Sequence, residues 1–206
     1  MPKILEKVER RLGEKLGLKA ERCSGPKCAL IRRGFPPGVH GKARRRGASE
    51  FAGLLREKQK VRFLYGLDDK DVKRYTEEAA RRPGVFSSYF LEFLERRLDN
   101  AVFRLGFAES RRSARHLVSY GHITVNGKTV TIPSYRVRKG EIIAFKERSL
   151  RKGFLGELEQ RLKKYQAPAW LALDSSRKEG TVVSNPLPEG VELTADVTKI
   201  KEFYSR

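Results

Sequence analysis

Ser110-Arg-Arg-Ser-Ala-Arg-His-Leu-Val-Ser-Tyr120-Gly-His-Ile-Thr-Val-Asn-Gly127-Lys-Thr129 changes periodicity once, and that change decides the fold. Ser110 is placed to cap a helix over Arg111–Tyr120 that Gly121 ends. At about 100° per residue Ala114, Leu117 and Val118 share one side, and Arg111, Arg112, Arg115 and His116 share the other. His122–Val125 then alternates as a strand does. Asn126-Gly127 is a strong two-residue hairpin signal, and Lys128–Ile132 is the returning strand. Guanidinium groups fork onto phosphate oxygens, and helix-start N–H groups, read as uncapped, add an anion-binding pole. His122, Asn126 and Lys128 follow, and Tyr135, Arg136 and Arg138 extend the surface. The basic residues lie opposite the apolar stripe, which favours a nucleic-acid face over a merely solvated one. Shape and phosphate recognition of folded RNA fits better than base reading in duplex DNA.

Working outward, Tyr135–Arg138, the Lys139-Gly140 turn and Glu141–Lys146 read as a second hairpin. The periodicity predicts a helix from Ser87 or Ser88 to Leu105, with Phe90, Leu91, Leu94, Leu98, Ala101, Val102 and Leu105 buried. Earlier, Ser49 caps a stripe of Phe51, Leu54, Leu55, Val61 and Leu64 ending at Gly66, with Arg56, Lys58, Lys60 and Arg62 at its other positions. A helix over Asp69–Arg82 stops at Pro83. Residues 3–18 read as an amphipathic helix weakened by Gly13 and Gly17. Residues 19–48, rich in Gly and Pro, read as an irregular basic arm ordered mainly by its partner. Ser149–Tyr165 reads as helical. The following tail offers short strands and a helix near Val197–Tyr204.

The 206 residues carry 45 Lys+Arg against 25 Asp+Glu, a net charge of +20. Residues 1–60 hold 17 basic and 6 acidic side chains, residues 61–94 balance, and residues 95–148 hold 12 against 5. Two basic blocks around a neutral segment point to a polyanionic partner, with an acidic membrane surface the weaker rival. The longest apolar run, Ala169–Leu173, is far short of the roughly 20 residues a membrane span needs. Glu6, Glu9 and Glu14 do not suit a leader peptide. Two cysteines suit a reducing compartment, so a cytoplasmic location without a membrane partner is expected.

Gly121 to Lys128 superficially resembles a phosphate-binding loop. Its glycines are separated by five residues rather than four, and the second is better explained as a turn. No array around His40, His116 or His122 suits catalysis, so no enzyme, catalytic residue or cofactor is expected. Cys23-x4-Cys28 is half of a structural zinc site at most, because a second pair is missing.

Arg97-Leu-Asp-Asn100, Ser110-Arg-Arg-Ser-Ala-Arg115, Gly121-His-Ile-Thr-Val-Asn-Gly127 and Pro133-Ser-Tyr-Arg-Val137 resemble the RNA-binding domain named after ribosomal protein S-four. That module also occurs in pseudouridine synthases, some tyrosyl-tRNA synthetases and a heat-shock RNA-binding protein. Such a modifying enzyme, or a regulatory RNA-binding protein, is the alternative reading. Arg33-Gly-Phe-Pro-Pro-Gly-Val-His-Gly41, Leu55-Arg-Glu-Lys-Gln-Lys60, Tyr65-Gly66 and Glu202-Phe-Tyr-Ser-Arg206 extend the resemblance over essentially the whole chain. They are similar to the bacterial small-subunit ribosomal protein family of that name.

The resemblance implies a predominantly helical α+β protein in three parts: a basic N-terminal arm (1–48), a discontinuous helical domain (49–94 plus 166–206), and an inserted RNA-binding domain with a trailing helix (95–165). It implies primary binding of 16S rRNA at a helix junction of the 5′ domain, beside the mRNA entrance channel. Proteins S-three and S-five are the expected neighbours, with an effect on decoding accuracy through S-five. The expected rRNA contacts are Arg10, Arg11, Arg32, Arg33, His40, Lys42, Arg56, Lys58, Lys60, Arg62, Arg97, Arg104, Arg111, Arg112, Arg115, His116, His122, Asn126, Lys128, Tyr135, Arg136 and Arg138. Arg44, Arg45 and Arg46 fall in the region facing mRNA. Some relatives bind zinc through four N-terminal cysteines. Here Glu6 and Glu9 stand where the first pair would fall, and a metal-free arm is expected.

Overall fold

A computed structural model of the chain describes residues 5–18, 22–23, 25–43, 47, 49–150, 158–191 and 193–205. Among these the helices are α1 (Leu5–Leu12), α2 (Ala29–Arg32), α3 (Glu50–Leu64), α4 (Asp69–Ala80), α5 (Phe86–Glu95), α6 (Leu98–Arg104), α7 (Arg111–Ser119), α8 (Glu147–Leu150), α9 (Leu158–Lys164) and α10 (Val197–Ser205). The strands are β1 (Ile123–Val125), β2 (Lys128–Thr129), β3 (Ile142–Phe145), β4 (Leu171–Asp174) and β5 (Glu179–Val182). The architecture is α+β and mainly helical. It divides into two compact units, Met1–Pro83 with Leu193–Arg206, and Gly84–Glu192.

In the first unit α1 stops at Leu12 rather than continuing to residue 18. Gly13 adopts φ +74 there and its N–H bonds back to the Glu9 carbonyl. Residues expected to be irregular carry α2 and a 3-10 turn, Val39–Lys42. Ser49 caps α3 as its sequence predicts, accepting the Ala52 N–H at 3.3 Å. α10 closes the unit against α3: Phe203 meets Phe51 (centroids 5.5 Å apart), Ile200 is fully buried, and the Asp196 N–H donates to Glu57 at 2.9 Å.

The second unit departs from expectation in two ways. The helix foreseen from Ser87 or Ser88 to Leu105 is two helices, because Arg97 is extended (φ −66°, ψ 137°) between α5 and α6. That break is occupied by the segment expected to form the second hairpin. Arg97 bridges to Arg136, the Leu98 N–H donates to the Tyr135 carbonyl, and the Val137 N–H donates to the Arg96 carbonyl, both hydrogen bonds 2.8 Å long. Tyr135–Arg138 therefore laces two helix ends together instead of pairing with β3.

The strand order is β2-β1-β3-β5-β4, with every pair antiparallel. β4 and β5 lie in the stretch assigned from sequence to the helical domain (166–206), yet β5 pairs with β3 through Ile143↔Gly180. α5, nearly all of which falls in the stretch 49–94, also belongs to this unit. One sheet face, with Ile123, Val125, Ile143, Phe145 and Val182, packs on Leu98, Val102, Leu105, Ala114 and Val118. Of the helix expected over Ser149–Tyr165, α8 and α9 bracket residues 151–157, which lie outside the described residues.

Gly180 marks the closest approach of helix to sheet. A Cβ there would stand 2.3 Å from Leu105 Cδ2 and 2.9 Å from its Cγ, and Leu105 is fully buried. Gly180→Ala is expected to destabilise the chain by about 1–3 kcal/mol in urea unfolding, the usual cost of overpacking. A second test concerns Tyr204, whose phenol bonds to the Asp69 carbonyl. Burial, reinforced by the Asp69 carboxylate, raises its pKa to about 12. An unfolded tyrosine titrates near 10. The fold favours the neutral phenol, so the Tyr204 contribution is intact below pH 10 and lost as pH rises through 12. Tyr204→Phe is expected to flatten the fall in stability over that window, read by denaturation at successive pH values.

Candidate nucleic-acid interface

The basic helix α7 stands on a buried ionic platform made by the break between α5 and α6. Asp99, 3% exposed, accepts two bonds from Arg97: Nε to Oδ1 at 3.0 Å and Nη2 to Oδ2 at 2.7 Å. It also accepts the Asn100 N–H at 2.9 Å. Glu95, fully buried, takes the Arg104 guanidinium on both oxygens (2.9 and 3.1 Å) and the Asn100 amide at 3.0 Å. Asn100 Oδ1 in turn accepts from Arg111 Nε at 2.8 Å, and the Arg111 guanidinium lies 4.6 Å over Phe103. Arg115 Nη1 reaches Asp99 at 3.8 Å. Two buried carboxylates thus orient four arginines, leaving an excess of positive charge.

This changes the roles of several expected contacts. Arg97 is 1% exposed and its fork is engaged by Asp99, so it works inside the protein and does not offer a surface to RNA. Arg104 is likewise held by Glu95. Arg111 and Arg115 are half-buried and anchored at one side, while Arg112 and His116 are exposed. Ser110 caps the helix as foreseen, its Oγ accepting the Ser113 N–H at 3.2 Å, so that N–H is not among those open to an anion.

The following turn needs left-handed backbone at both central residues, Asn126 (φ 50°) and Gly127 (φ +76). The Asn126 side chain is occupied in accepting the Ile142 N–H at 2.9 Å, whereas Lys128 is exposed. Tyr135 donates its hydroxyl to Glu141 at 2.7 Å, and that bond, with burial, raises its pKa. The other Glu141 oxygen accepts the Arg138 N–H, leaving the Arg138 side chain exposed. Arg136 lies 4.6 Å over Phe93. His122 pairs through Nδ1 with Ser149 Oγ at 2.9 Å. Sequence reasoning passed over Tyr120, which is 72% exposed. Its place four residues after His116, itself four after Arg112, is the signal that could have found it.

In the first unit Arg11, Arg32, Arg33, His40, Lys42 and Arg56 are exposed. Arg10 is a strut, its Nε donating to the carbonyls of Arg33 and Phe35, both at 3.0 Å. Among the described residues, Lys7, Arg10, Arg22, Lys27, Arg32 and Arg33 line a cleft of about 320 Å³, with Glu6 on its wall. Lys58 and Lys60, read as surface positions, are buried. Lys58 pairs with Asp69 and lies 4.9 Å over Phe203, and Lys60 pairs with Glu14 and Glu57. Arg62 pairs with Asp69 at 3.3 Å. Arg44, Arg45 and Arg46 lie outside the described residues.

The donors considered for zinc do not fit a tetrahedral centre. Glu9, 2% exposed, accepts the N–H groups of Leu16 (3.1 Å) and Leu18 (3.3 Å) and the Cys23 thiol at 3.6 Å. Glu6 pairs with Arg22 at 2.8 Å, and His40 is exposed on its turn. Among the described residues no three His, Cys, Asp or Glu side chains converge as ligands. No described helix is long and apolar enough to cross a membrane.

The division between buried and exposed arginines is directly measurable. Arg97→Met strips buried Asp99 of its bidentate partner, leaving only the Asn100 N–H and the more distant Arg115, and is expected to cost about 3–5 kcal/mol in urea unfolding. Arg112→Ala is expected to stay within about 0.5 kcal/mol of the parent.

Comparison with known proteins gives the family. Residues 5–95 match the ribosomal protein S4/S9 N-terminal domain, and residues 96–143 match the S4 domain. The small ribosomal subunit protein uS4 of Thermus thermophilus is 48% identical over 197 residues, covering 96% of this chain and 94% of that one. Its counterpart in Gloeobacter violaceus is 47% identical over 200 residues, covering 97% and 96%. That of Halothermothrix orenii is 46% identical over 197 residues, covering 96% and 94%. With both domain families in tandem and near-complete coverage at this identity, the chain belongs to the uS4 family of small-ribosomal-subunit proteins.

Proposed function

We propose that this protein is a structural component of the small ribosomal subunit that binds 16S rRNA directly and early, at a helix junction of the 5′ domain. The observation that carries the reading is the basic face of α7, with Arg112 and His116 exposed opposite buried Ala114 and Val118. Below it two buried carboxylates hold Arg97, Arg104 and, through Asn100, Arg111 in fixed geometry. A positive surface built on ordered side chains loses less conformational entropy on meeting phosphates than a loose one. Exposed Lys128 and Arg138 continue the charge beyond the helix. Together they neutralise phosphates brought close by an RNA junction, and no chemical step is required of the protein.

The family relationship supports further parts of the reading. Proteins S-three and S-five are the proposed neighbours, contact with S-five bears on decoding accuracy, and Arg44, Arg45 and Arg46 face mRNA at its entrance. The basic cleft around Arg32 and Arg33 supplies a second phosphate-binding surface in the first unit.

The test is a titration of the chain with a 16S rRNA 5′-domain transcript over a salt series, against scrambled RNA of equal length. Preference for the native junction with a steep salt dependence is expected. Arg112→Ala with Lys128→Ala is expected to lower the slope by about one to two released counterions. A steep slope without preference would mark a general polyanion binder and overturn the assembly role.

A further inference from the structure

Three aromatic rings meet where α7 runs into β1. The His116 and Tyr120 rings lie 5.9 Å apart and within 14° of parallel, and His122 lies 6.5 Å from Tyr120 at 50°. Scattered single exposed aromatics are ordinary on protein surfaces. This one is 72% exposed, contiguous with two imidazoles, and on the side of the helix away from buried Ala114 and Val118. Gly121, at φ +69, ends the helix immediately after Tyr120, so the ring stands at its rim rather than turning into the core. The hydrogen bond of His122 to Ser149 Oγ fixes the far side of the group. Arg112, His116 and Tyr120 recur every four residues, so a cation and two rings form one stripe along the helix.

We propose that this stripe is a stacking site for an unpaired nucleobase, the base lying on Tyr120 while Arg112 meets an adjoining phosphate. The proposal rests on the RNA-binding reading and adds to it a second kind of contact. Phosphate pairing attracts any RNA, but a ring platform accepts a base only where it has left the helical stack. It therefore lets the surface distinguish an open junction from a continuous duplex. Stacking displaces no counterions, so its contribution adds equally at every salt concentration.

The experiment titrates the full chain and its variants with the 16S rRNA 5′-domain transcript at several salt concentrations. Thermal melts confirm folding. Failure of the unaltered chain to bind would overturn the RNA reading itself. If it binds, Tyr120→Ala is expected to weaken affinity roughly ten-fold at every salt with an unchanged slope, and Tyr120→Phe to stay close to the parent. Unchanged affinity of Tyr120→Ala overturns the stacking site, as does an altered slope. A loss in Tyr120→Phe equal to that in Tyr120→Ala overturns it too, assigning the effect to the hydroxyl. Should Tyr120→Ala not fold, Tyr120→Trp decides. Quenching of emission beyond that of buried Trp170 when the transcript binds supports stacking, and its absence overturns it.

Discussion

The carboxylate of Asp99, sealed within the second unit and gripped on both oxygens by Arg97, is the constraint around which that unit is arranged. Removing a guanidinium and a carboxylate from water costs several kcal/mol for each ion, so the pair is tolerated only with close geometry and its other hydrogen bonds satisfied. Satisfying them imposes form on the chain. Arg97 must be extended, which interrupts the helix. The exposed backbone groups at that interruption must then find partners, and the Tyr135–Val137 segment supplies them. One buried ion pair thereby accounts for the break between α5 and α6, the course of residues 133–138, and the seat of α7.

The arginines divide accordingly into two populations that composition does not separate. Arg97 and Arg104 spend their charge inward on Asp99 and Glu95. Arg112 and Arg138 present theirs to solvent, and Arg111 and Arg115 do part of each. A similar division runs through α3, where Lys58 and Lys60 are buried in ion pairs while Arg56 is exposed. The count of 45 basic side chains therefore overstates what a partner meets, whereas the net charge of +20 already cancels these pairs, and the charge remaining outside is better positioned than loose side chains would be.

Much of this was legible in the residues. The apolar stripe of α7, its Ser110 cap and the Asn126-Gly127 turn follow from local chemistry, and the structure has all three. The failures share a cause: each depended on which groups tertiary packing buries or pairs, which no local pattern records. Nothing local distinguishes Arg97 from a helical arginine until Asp99 is known to be buried beneath it. Tyr135–Arg138 reads as a strand and is indeed extended, but its partner is a helix break about forty residues earlier. β4 and β5 were foreseen as short strands and given to the wrong unit, because nothing near Gly180 reveals that Leu105 requires its missing side chain. Glu9 was noted only as standing where relatives carry a cysteine, which did not reveal that it gathers two backbone N–H groups and a thiol.

The first unit is closed by α10, whose Phe203 and Ile200 lie on helices made from residues some 130 to 150 positions earlier. A ribosome adds roughly 5–20 residues each second. α3 and α4 therefore wait of the order of ten seconds with an apolar face uncovered, while the whole second unit is synthesised between them and their cover. The second unit has no such wait once β5 is out, since all its elements are contiguous. The order of maturation is thus the reverse of the order of synthesis: the inserted unit can complete first, and the unit that begins the chain becomes whole only when the last helix arrives.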